Sequence, residues 1–260
     1  MKRLFYVIVA VAMMAFATSA SAQGYGRPHG HRGYHDFYSI TSGMGVSAGY
    51  VHSIYRLSDW ATDDVDTVNG LNGFNIGLTK DFMIYEHMLA LQTGLVYTYQ
   101  NESKNMTEAG VRIIGDWDEH FLSIPVKIKY EYPIMDNVCV FAMAGPTLVA
   151  GLSSSMKYRA SVGDSVNAAI SYNMYNGKVR SNDAMPEALT QFISSQFPGS
   201  RYRWPDIQFG LSAGAVLFEL LELQIGYDWG VVNKYRDENI DDVKMRRQQL
   251  YITAGVRFKI

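Results

Sequence analysis

Residues 249–260 (QLYITAGVRFKI), the last twelve of the chain, alternate between two kinds of side chain almost without interruption. One kind is apolar and the other is polar or amphipathic: Leu250, Ile252, Ala254, Val256, Phe258 and Ile260 against Gln249, Tyr251, Thr253, Arg257 and Lys259. Successive side chains of an extended strand point to opposite faces. The segment therefore predicts a strand with one apolar face and one polar face.

The other end of the chain has the three parts of a secretory signal peptide. Lys2 and Arg3 precede an apolar run over residues 4–17, and Ala20, Ser21 and Ala22 fit the small-residue cleavage site. A membrane anchor is the alternative, but a spanning helix needs about 20 apolar residues and this run is shorter. We therefore predict a signal peptide over residues 1–22 and secretion through the inner membrane.

The composition favours a β protein and excludes several classes of site. Of the 260 residues, 18 are Tyr and 23 are Gly, which suits many alternating strands. The net charge of -2 gives no electrostatic basis for a nucleic-acid partner. Cys139 is the single cysteine, so an intrachain disulfide and a thiolate metal cluster are excluded. We expect no cofactor.

The alternation of the last segment recurs in seven others, which makes eight predicted strands. The other seven are residues 40–52, 73–81, 88–100, 120–132, 138–152, 206–218 and 221–230. Single-chain bacterial barrels have an even number of strands, long extracellular loops and short periplasmic turns. Here the connections after the first, third, fifth and seventh strands are long and polar, and the others are short. The chain is thus predicted to be all-β, an eight-stranded antiparallel transmembrane β-barrel with long extracellular loops and both termini in the periplasm.

This interpretation divides the chain into three parts. A signal peptide over residues 1–22 precedes a flexible periplasmic arm over residues 23–39, which is rich in Gly, His and Arg. The outer-membrane barrel domain then occupies residues 40–260. Within it, residues 101–119 and 231–247 are expected to be loops, and residues 153–205 form a long extracellular loop. Helical spacing within residues 183–197 predicts a short helix in that loop.

The two faces of the predicted strands carry different residue types. Outward faces have aromatic residues near strand ends, where an interfacial girdle is expected: Tyr50, Tyr97, Tyr99, Tyr130, Tyr132, Tyr227 and Trp229. Inward faces carry charges: Lys127, Lys129, Glu131, Glu222, Asp228, Arg257 and Lys259. An eight-stranded barrel is only wide enough for its own side chains. We therefore expect these charges to neutralise one another in a lumen network.

Three segments carry a resemblance to a known family. They are residues 121–132 (FLSIPVKIKYEY), residues 141–151 (FAMAGPTLVAG) and residues 250–260 (LYITAGVRFKI). In this order, behind a signal peptide, they resemble the PorT-like outer-membrane barrels of Bacteroidetes. The resemblance implies an integral outer-membrane barrel. Barrels of this kind usually end in Phe, whereas this chain ends in Ile260, with Phe258 two residues before the end.

Three groups of residues could carry site chemistry, although a solvated role is favoured for each. His29, His31 and His35 could bind a transition metal from the arm. Four aspartates near the second strand resemble a calcium loop but lack the glycine and the terminal glutamate of an EF-hand. His52 with Ser53, and His120 with Ser123 and Glu119, could form a Ser–His–acid set at the rim. The four aspartates are Asp59, Asp63, Asp64 and Asp66.

The favoured function is a non-enzymatic outer-membrane barrel that anchors surface loops. The expected partners are outer-membrane lipid, the barrel-assembly machinery during biogenesis, and a protein or ligand engaged through the loop over residues 153–205, because binding functions concentrate on loops held by rigid scaffolds. Two alternatives stay open. One is a lipid-modifying hydrolase or acyltransferase at the rim, and the other is a narrow channel or small-molecule conduit.

Overall fold

The computed structural model describes residues 43–59, 65–85, 88–108, 111–135, 137–162, 166–182, 202–234 and 243–259. In these ranges all regular structure is β-strand. The strands are β1 Gly43–Asp59, β2 Val65–Tyr85, β3 Leu89–Glu108, β4 Val111–Met135, β5 Val138–Val162, β6 Val166–Asn173, β7 Val179–Ser181, β8 Pro205–Leu217, β9 Leu221–Gly230 and β10 Val243–Lys259. No helix long and apolar enough to cross a membrane occurs in this part of the chain. The signal peptide, the arm and the helix within residues 183–197 lie outside the described residues.

Eight of the ten strands close into a barrel. All pairings are antiparallel, in the order β4-β3-β2-β1-β10-β9-β8-β5, and β4 also pairs with β5. This last pairing joins the first and last strands of that order. Each of the eight barrel strands is therefore paired on both sides. The prediction of an all-β antiparallel barrel of eight strands is confirmed, and each predicted strand overlaps one observed strand.

The barrel has its apolar side chains outside and its polar side chains inside. Along β8, exposed and buried residues alternate, with Ile207, Phe209 and Leu211 exposed while Asp206 and Gln208 are buried. A protein dissolved in water rarely exposes so continuous an apolar surface. The inverted pattern is the one that a barrel surrounded by hydrocarbon requires.

The two ends of the barrel differ. The chain enters β1 and leaves β10 at one end, here called the terminal end, where Gly43 pairs with Lys259. The short β2–β3, β4–β5 and β8–β9 turns are at this same end. The opposite end, here called the loop end, has the two longest connections, from β5 to β8 and from β9 to β10. In the β8–β9 turn, Phe218 and Glu219 have φ values of 53° and 56°. This left-handed turn matches the twist of a hairpin, at a steric cost because neither residue is glycine.

Several segments predicted as loops are strands. β3 continues to Glu108 and β4 begins at Val111, so residues 101–108 and 111–119 belong to paired antiparallel strands. β5 continues to Val162 and then pairs with β6, which pairs with β7. The interpretation of residues 153–205 as one long loop is therefore wrong for residues 153–162, 166–173 and 179–181. We call residues 101–108, 111–119, 153–162, 166–173 and 179–181 the loop-end extension.

A hydrophobic cluster on the inner face of this extension explains why it folds. Its buried members come from the extension, from barrel strands and from the segment before β8: Tyr55, Leu71, Trp117, Tyr172, Met174, Tyr202 and Met245. The opposite face is exposed and charged. Because the apolar residues are spread over six segments and separated by polar ones, the local sequence has the composition of a loop.

Candidate functional site

A layer of five charges, three of them buried and two partly buried, lies across the lumen at the terminal end. Lys129 Nζ is 2.8 Å from Glu222, 3.0 Å from Glu131 and 3.2 Å from Asp81. Arg257 is 2.7 Å from Glu131 and 3.0 Å from Asp81. Strand alternation places these side chains inside, since Lys129 and Glu131 are two residues apart on β4. Each charge has at least one opposite partner, as buried ions require.

A second ion pair lies deeper in the lumen. Lys127 Nζ is 2.8 Å from Asp228 Oδ1 and donates to the Tyr251 hydroxyl at 2.9 Å. Two glycines make room for this group. A Cβ on Gly210 would lie 1.6 Å from Asp228 Oδ1, and one on Gly226 would lie 2.3 Å from the Tyr251 ring and hydroxyl. Glycine is therefore needed at these two positions to leave space for the Asp228 and Tyr251 side chains.

The structure places six of the seven predicted lumen charges inside the barrel, in two separate groups. Lys129, Glu131, Glu222 and Arg257 belong to the terminal-end layer, and Lys127 pairs with Asp228 above it. The side chain of Lys259 lies outside the described part. Asp81 contacts both cations of the layer, although it was not among the predicted lumen charges. Its position two residues after the inward Thr79 was a usable signal.

A polar cavity of about 70 Å³ lies between the terminal-end layer and the loop end. All eight barrel strands contribute to its wall. The wall consists mainly of amide and hydroxyl side chains, among them Gln92, Gln208, Gln224 and Gln249, and it includes the Lys127–Asp228 pair. Polar residues therefore line the lumen at the level of the outer apolar band.

A buried lysine from the segment that follows β9 lies inside the loop end of the barrel. Lys234 Nζ donates to Glu119 Oε1 at 2.9 Å and to the Tyr55 hydroxyl at 2.7 Å. It also lies 4.4 Å from the ring centre of Tyr202, 4.6 Å from that of Tyr55 and 4.9 Å from that of Phe121. Aromatic faces and a carboxylate together stabilise a buried cation. We call Lys234 and these partners the cap.

Side chains of β1, β4 and β5 hold the cap in place through a chain of hydrogen bonds. Glu119 accepts hydrogen bonds from the Tyr55 hydroxyl and from Ser154 Oγ, which in turn accepts one from Trp117 Nε1 at 3.1 Å. The rings of Tyr55 and Trp117 stack with centres 5.1 Å apart. Burial lowers the pKa of Lys234 below its usual value of 10.5, against the opposing effect of Glu119. Lys234 itself is outside the barrel strands, because β9 ends at Gly230.

The residues proposed for a rim hydrolase do not come together. His52 Nδ1 contacts Asn72 Oδ1 at 2.8 Å on the outer face, whereas Ser53 faces the lumen. His120 Nδ1 contacts the Tyr97 hydroxyl at 2.7 Å, while Glu119 belongs to the cap. Ser123 lines the polar cavity, on the face opposite His120. Neighbouring positions of one strand point to opposite sides, so these pairs cannot form a Ser–His–acid set.

The described residues contain no cluster of three or more His, Cys, Asp or Glu that could hold a metal. The arm with His29, His31 and His35 lies outside the described residues. So do Asp63 and Asp64, together with the side chains of Asp59 and Asp66. Cys139 is buried in a small apolar cluster with Phe141, Met143 and Val216 inside the barrel.

The outer face of the loop-end extension carries a ladder of charges. Asp118 pairs with Lys157 at 2.8 Å, and Asp116 pairs with Arg159 and accepts a hydrogen bond from Ser103 at 2.7 Å. The pKa of Asp116 is below its usual value, mainly because of the hydrogen bond from Ser103 and then because of Arg159. Partial burial acts in the opposite direction. The hydrogen bond to Asp118 raises the pKa of Lys157. A shallow groove beside this ladder is lined by Lys157, Arg159 and Arg180.

Aromatic side chains border the outer apolar band at both ends. At the loop end, Tyr50, Phe74 and Tyr99 are neighbours across β1, β2 and β3, and Tyr227 packs against Trp229 with ring centres 4.8 Å apart. At the terminal end, Tyr130 and Tyr132 project from β4 and are exposed. Aromatic residues prefer the two membrane–water interfaces.

A closed eight-stranded barrel with an apolar outer band, aromatic borders and a charged lumen defines the class of integral membrane β-barrels. The sequence matches the model of the outer membrane protein beta-barrel domain over residues 8–258. The chain belongs to this family, and it is an integral β-barrel protein of the outer membrane.

Several solved barrels are similar at low identity. The attachment invasion locus protein Ail of Yersinia pestis, in complex with the heparin analogue sucrose octasulfate, is 14% identical, with 84% of this chain and 100% of that chain covered and a TM-score of 0.39. Neisserial surface protein A is 15% identical, with 84% and 97% covered and a TM-score of 0.37. The outer membrane protease OmpT of Escherichia coli is 9% identical, with 87% and 99% covered and a TM-score of 0.33. None of the curated proteins matches the chain.

Proposed function

We propose that this protein is a non-enzymatic outer-membrane barrel that presents its loop-end extension as a recognition surface for a protein outside the cell. The observation that carries the proposal is the continuity of the sheet. β3, β4 and β5 run without a break from the apolar band into the extension, and β6 and β7 add to it. The paired strands fix the position of this surface and of the loops next to it, and binding residues concentrate on segments that a rigid scaffold positions.

The cap and the hydrophobic cluster support the same proposal. Lys234 fastens the segment after β9 to Glu119 of β4, and Met245 N donates to Asn233 Oδ1 at 2.9 Å. The inner face of the extension is thereby covered next to the barrel, around Trp117 and Tyr172, and the charged outer face is exposed to a partner. A preorganised surface loses little conformational entropy on binding.

The proposal includes the orientation and origin of the chain. The three short turns lie at the terminal end, which we place in the periplasm together with both termini, and the extension is then outside the cell. The proposal also includes a cleaved signal peptide over residues 1–22 and membership of the PorT-like subgroup. The barrel-assembly machinery would insert the barrel, which would then contact outer-membrane lipid.

The two alternatives have less support. A rim hydrolase needs His52 or His120 beside a serine and a carboxylate, and strand alternation separates these side chains. A conduit needs an open lumen, whereas the five-charge layer and the cap stand at its two ends. A conduit for hydrophobic molecules also needs an apolar wall, and the cavity wall is polar.

Site-specific photo-crosslinking in intact cells tests the proposal. A benzophenone amino acid at Arg159 or Arg180 samples the extension, and the same residue at Phe218 or Ile84 samples the terminal-end turns as a matched control. We expect the extension positions to give a covalent adduct with another protein. Excess purified barrel should compete for that protein and prevent the adduct. Equal adducts from both ends, or none from Arg159 and Arg180, would contradict the proposal.

A further inference from the structure

The cavity in the middle of the lumen has the chemistry of a water site. Of the residues that line it, only Val96 and Pro125 are plainly apolar, and the rest of the wall offers hydroxyl, amide or charged groups. Its volume is about 70 Å³, and one water needs roughly 10–15 Å³ on this measure. The space is sufficient for about five water molecules.

Two side chains aimed into this cavity lack partners among the described residues. Asn75 Oδ1 on β2 and Thr147 Oγ1 on β5 both line the cavity, and both residues are only 5% exposed. A buried polar atom without a hydrogen bond has lost its bonds to water and gained none in the protein, which costs free energy. Such atoms are therefore rare in folded proteins. Their shared position at one cavity points to a common partner that is not a protein group.

The Lys127–Asp228 pair also needs a further hydrogen-bond partner at this cavity. An ammonium group has three donors, and Asp228 and the Tyr251 hydroxyl account for two of them. Lys127 also lines the cavity. A buried ion pair is stable only when the remaining hydrogen-bonding capacity of both groups is met.

We propose that the mid-lumen cavity is a built water site, in which a cluster of about five waters bridges Asn75, Thr147 and the Lys127–Asp228 pair. Water is the ligand that fits, because it both donates and accepts and needs two to four polar partners. The cap and the terminal-end layer hold the cluster between them. The lumen is then a hydrated compartment closed at both ends, and its waters exchange slowly with the bulk.

Water–protein NOE spectroscopy on the wild-type barrel in detergent micelles tests this directly. With the Asn75 side-chain amide assigned, we expect NOEs to long-lived water at that amide. The lipid-facing amides of β8 are the control, and no such NOE is expected there. Absence of water NOEs at Asn75 would overturn the proposal.

The sign of a stability change gives an independent test. In Thr147→Val the cluster loses a partner while the other polar groups still need it, so the urea midpoint of unfolding should fall. In a dry cavity the same change would remove an unsatisfied hydroxyl and raise the midpoint. Thr93→Val makes the same change on the outward face of β3 and should not lower the midpoint. A midpoint for Thr147→Val at or above that of the wild type would overturn the proposal, whatever the NOEs show.

Discussion

Lys234 Nζ lies 2.9 Å from Glu119 Oε1, although 115 positions separate the two residues in the chain. Both side chains are almost fully buried. The contact joins the segment after β9 to the part of β4 that belongs to the loop-end extension. The stability of the loop-end extension therefore depends on a charge pair that no local sequence pattern reveals.

Glu119→Gln should destabilise the barrel strongly. It leaves the Lys234 ammonium buried without its carboxylate, and breaking one side of a buried pair costs about 3–5 kcal/mol. Urea unfolding in lipid vesicles measures the loss. Lys157→Met is the matched control, because the Lys157–Asp118 pair is about half exposed on the lysine side and such pairs contribute only about 0–1 kcal/mol. Equal losses for the two variants would count against the cap.

The cap should also make stability depend on pH. The pKa of Lys234 is lowered by burial in the folded state, whereas the unfolded chain keeps a value near 10.5. Between these two values the unfolded state binds more protons, so stability rises with pH through this window. The difference in unfolding free energy between the wild type and Lys234→Met isolates this effect. We expect the difference to move in favour of the wild type as pH rises toward 10.5, and a flat or falling difference would be contrary to the account.

Gly210→Ala should disrupt the deeper ion pair. The new Cβ would lie 1.6 Å from Asp228 Oδ1 and 3.0 Å from Lys127 Nζ, so the carboxylate must move. We expect a loss of more than about 2 kcal/mol in unfolding free energy. Gly77→Ala is the control, since its Cβ would meet the ends of two side chains at 3.1 and 3.2 Å and should cost less than about 1 kcal/mol. The prediction fails if the two substitutions cost the same.

Lys129→Met should destabilise the terminal-end layer. Three carboxylates would then face Arg257 alone, and we expect a loss of about 3–5 kcal/mol in urea unfolding. Lys104→Met serves for comparison, because Lys104 is exposed and 3.7 Å from Glu102, and it should change stability by less than about 0.5 kcal/mol. A tolerated Lys129→Met would show that the layer does not hold the barrel together.

Strand alternation accounts for what could be predicted from the sequence. A period of two is a local property, so the eight barrel strands and the inward direction of Lys127, Lys129 and Glu131 follow from it. The rim hypothesis placed Glu119 and His120 in one site, although adjacent residues of a strand point to opposite faces. There the expectation ignored the very periodicity on which the fold prediction rested.

The cap and the extension lay beyond local pattern for a different reason. Lys234 is in a charged segment that has the composition of a loop, and its burial results from rings contributed by β1, β4 and residue 202. Trp117 and Tyr172 are apolar residues in otherwise polar stretches, and they find each other only when β4, β5 and β6 pair. Such contacts are tertiary, and no window of sequence contains them.

The most direct test of the central claim is an arginine on the outward face of the barrel. Leu211 is in the middle of β8 and is 49% exposed on the apolar band. With the barrel inserted in lipid vesicles, Leu211→Arg should cost about 2–4 kcal/mol of unfolding free energy, because the guanidinium enters hydrocarbon. Ser171→Arg on the outer face of β6, outside the membrane, should change it by less than about 0.5 kcal/mol. An unfolding free energy for Leu211→Arg within about 0.5 kcal/mol of the wild type would contradict the claim that this face of the barrel lies in lipid.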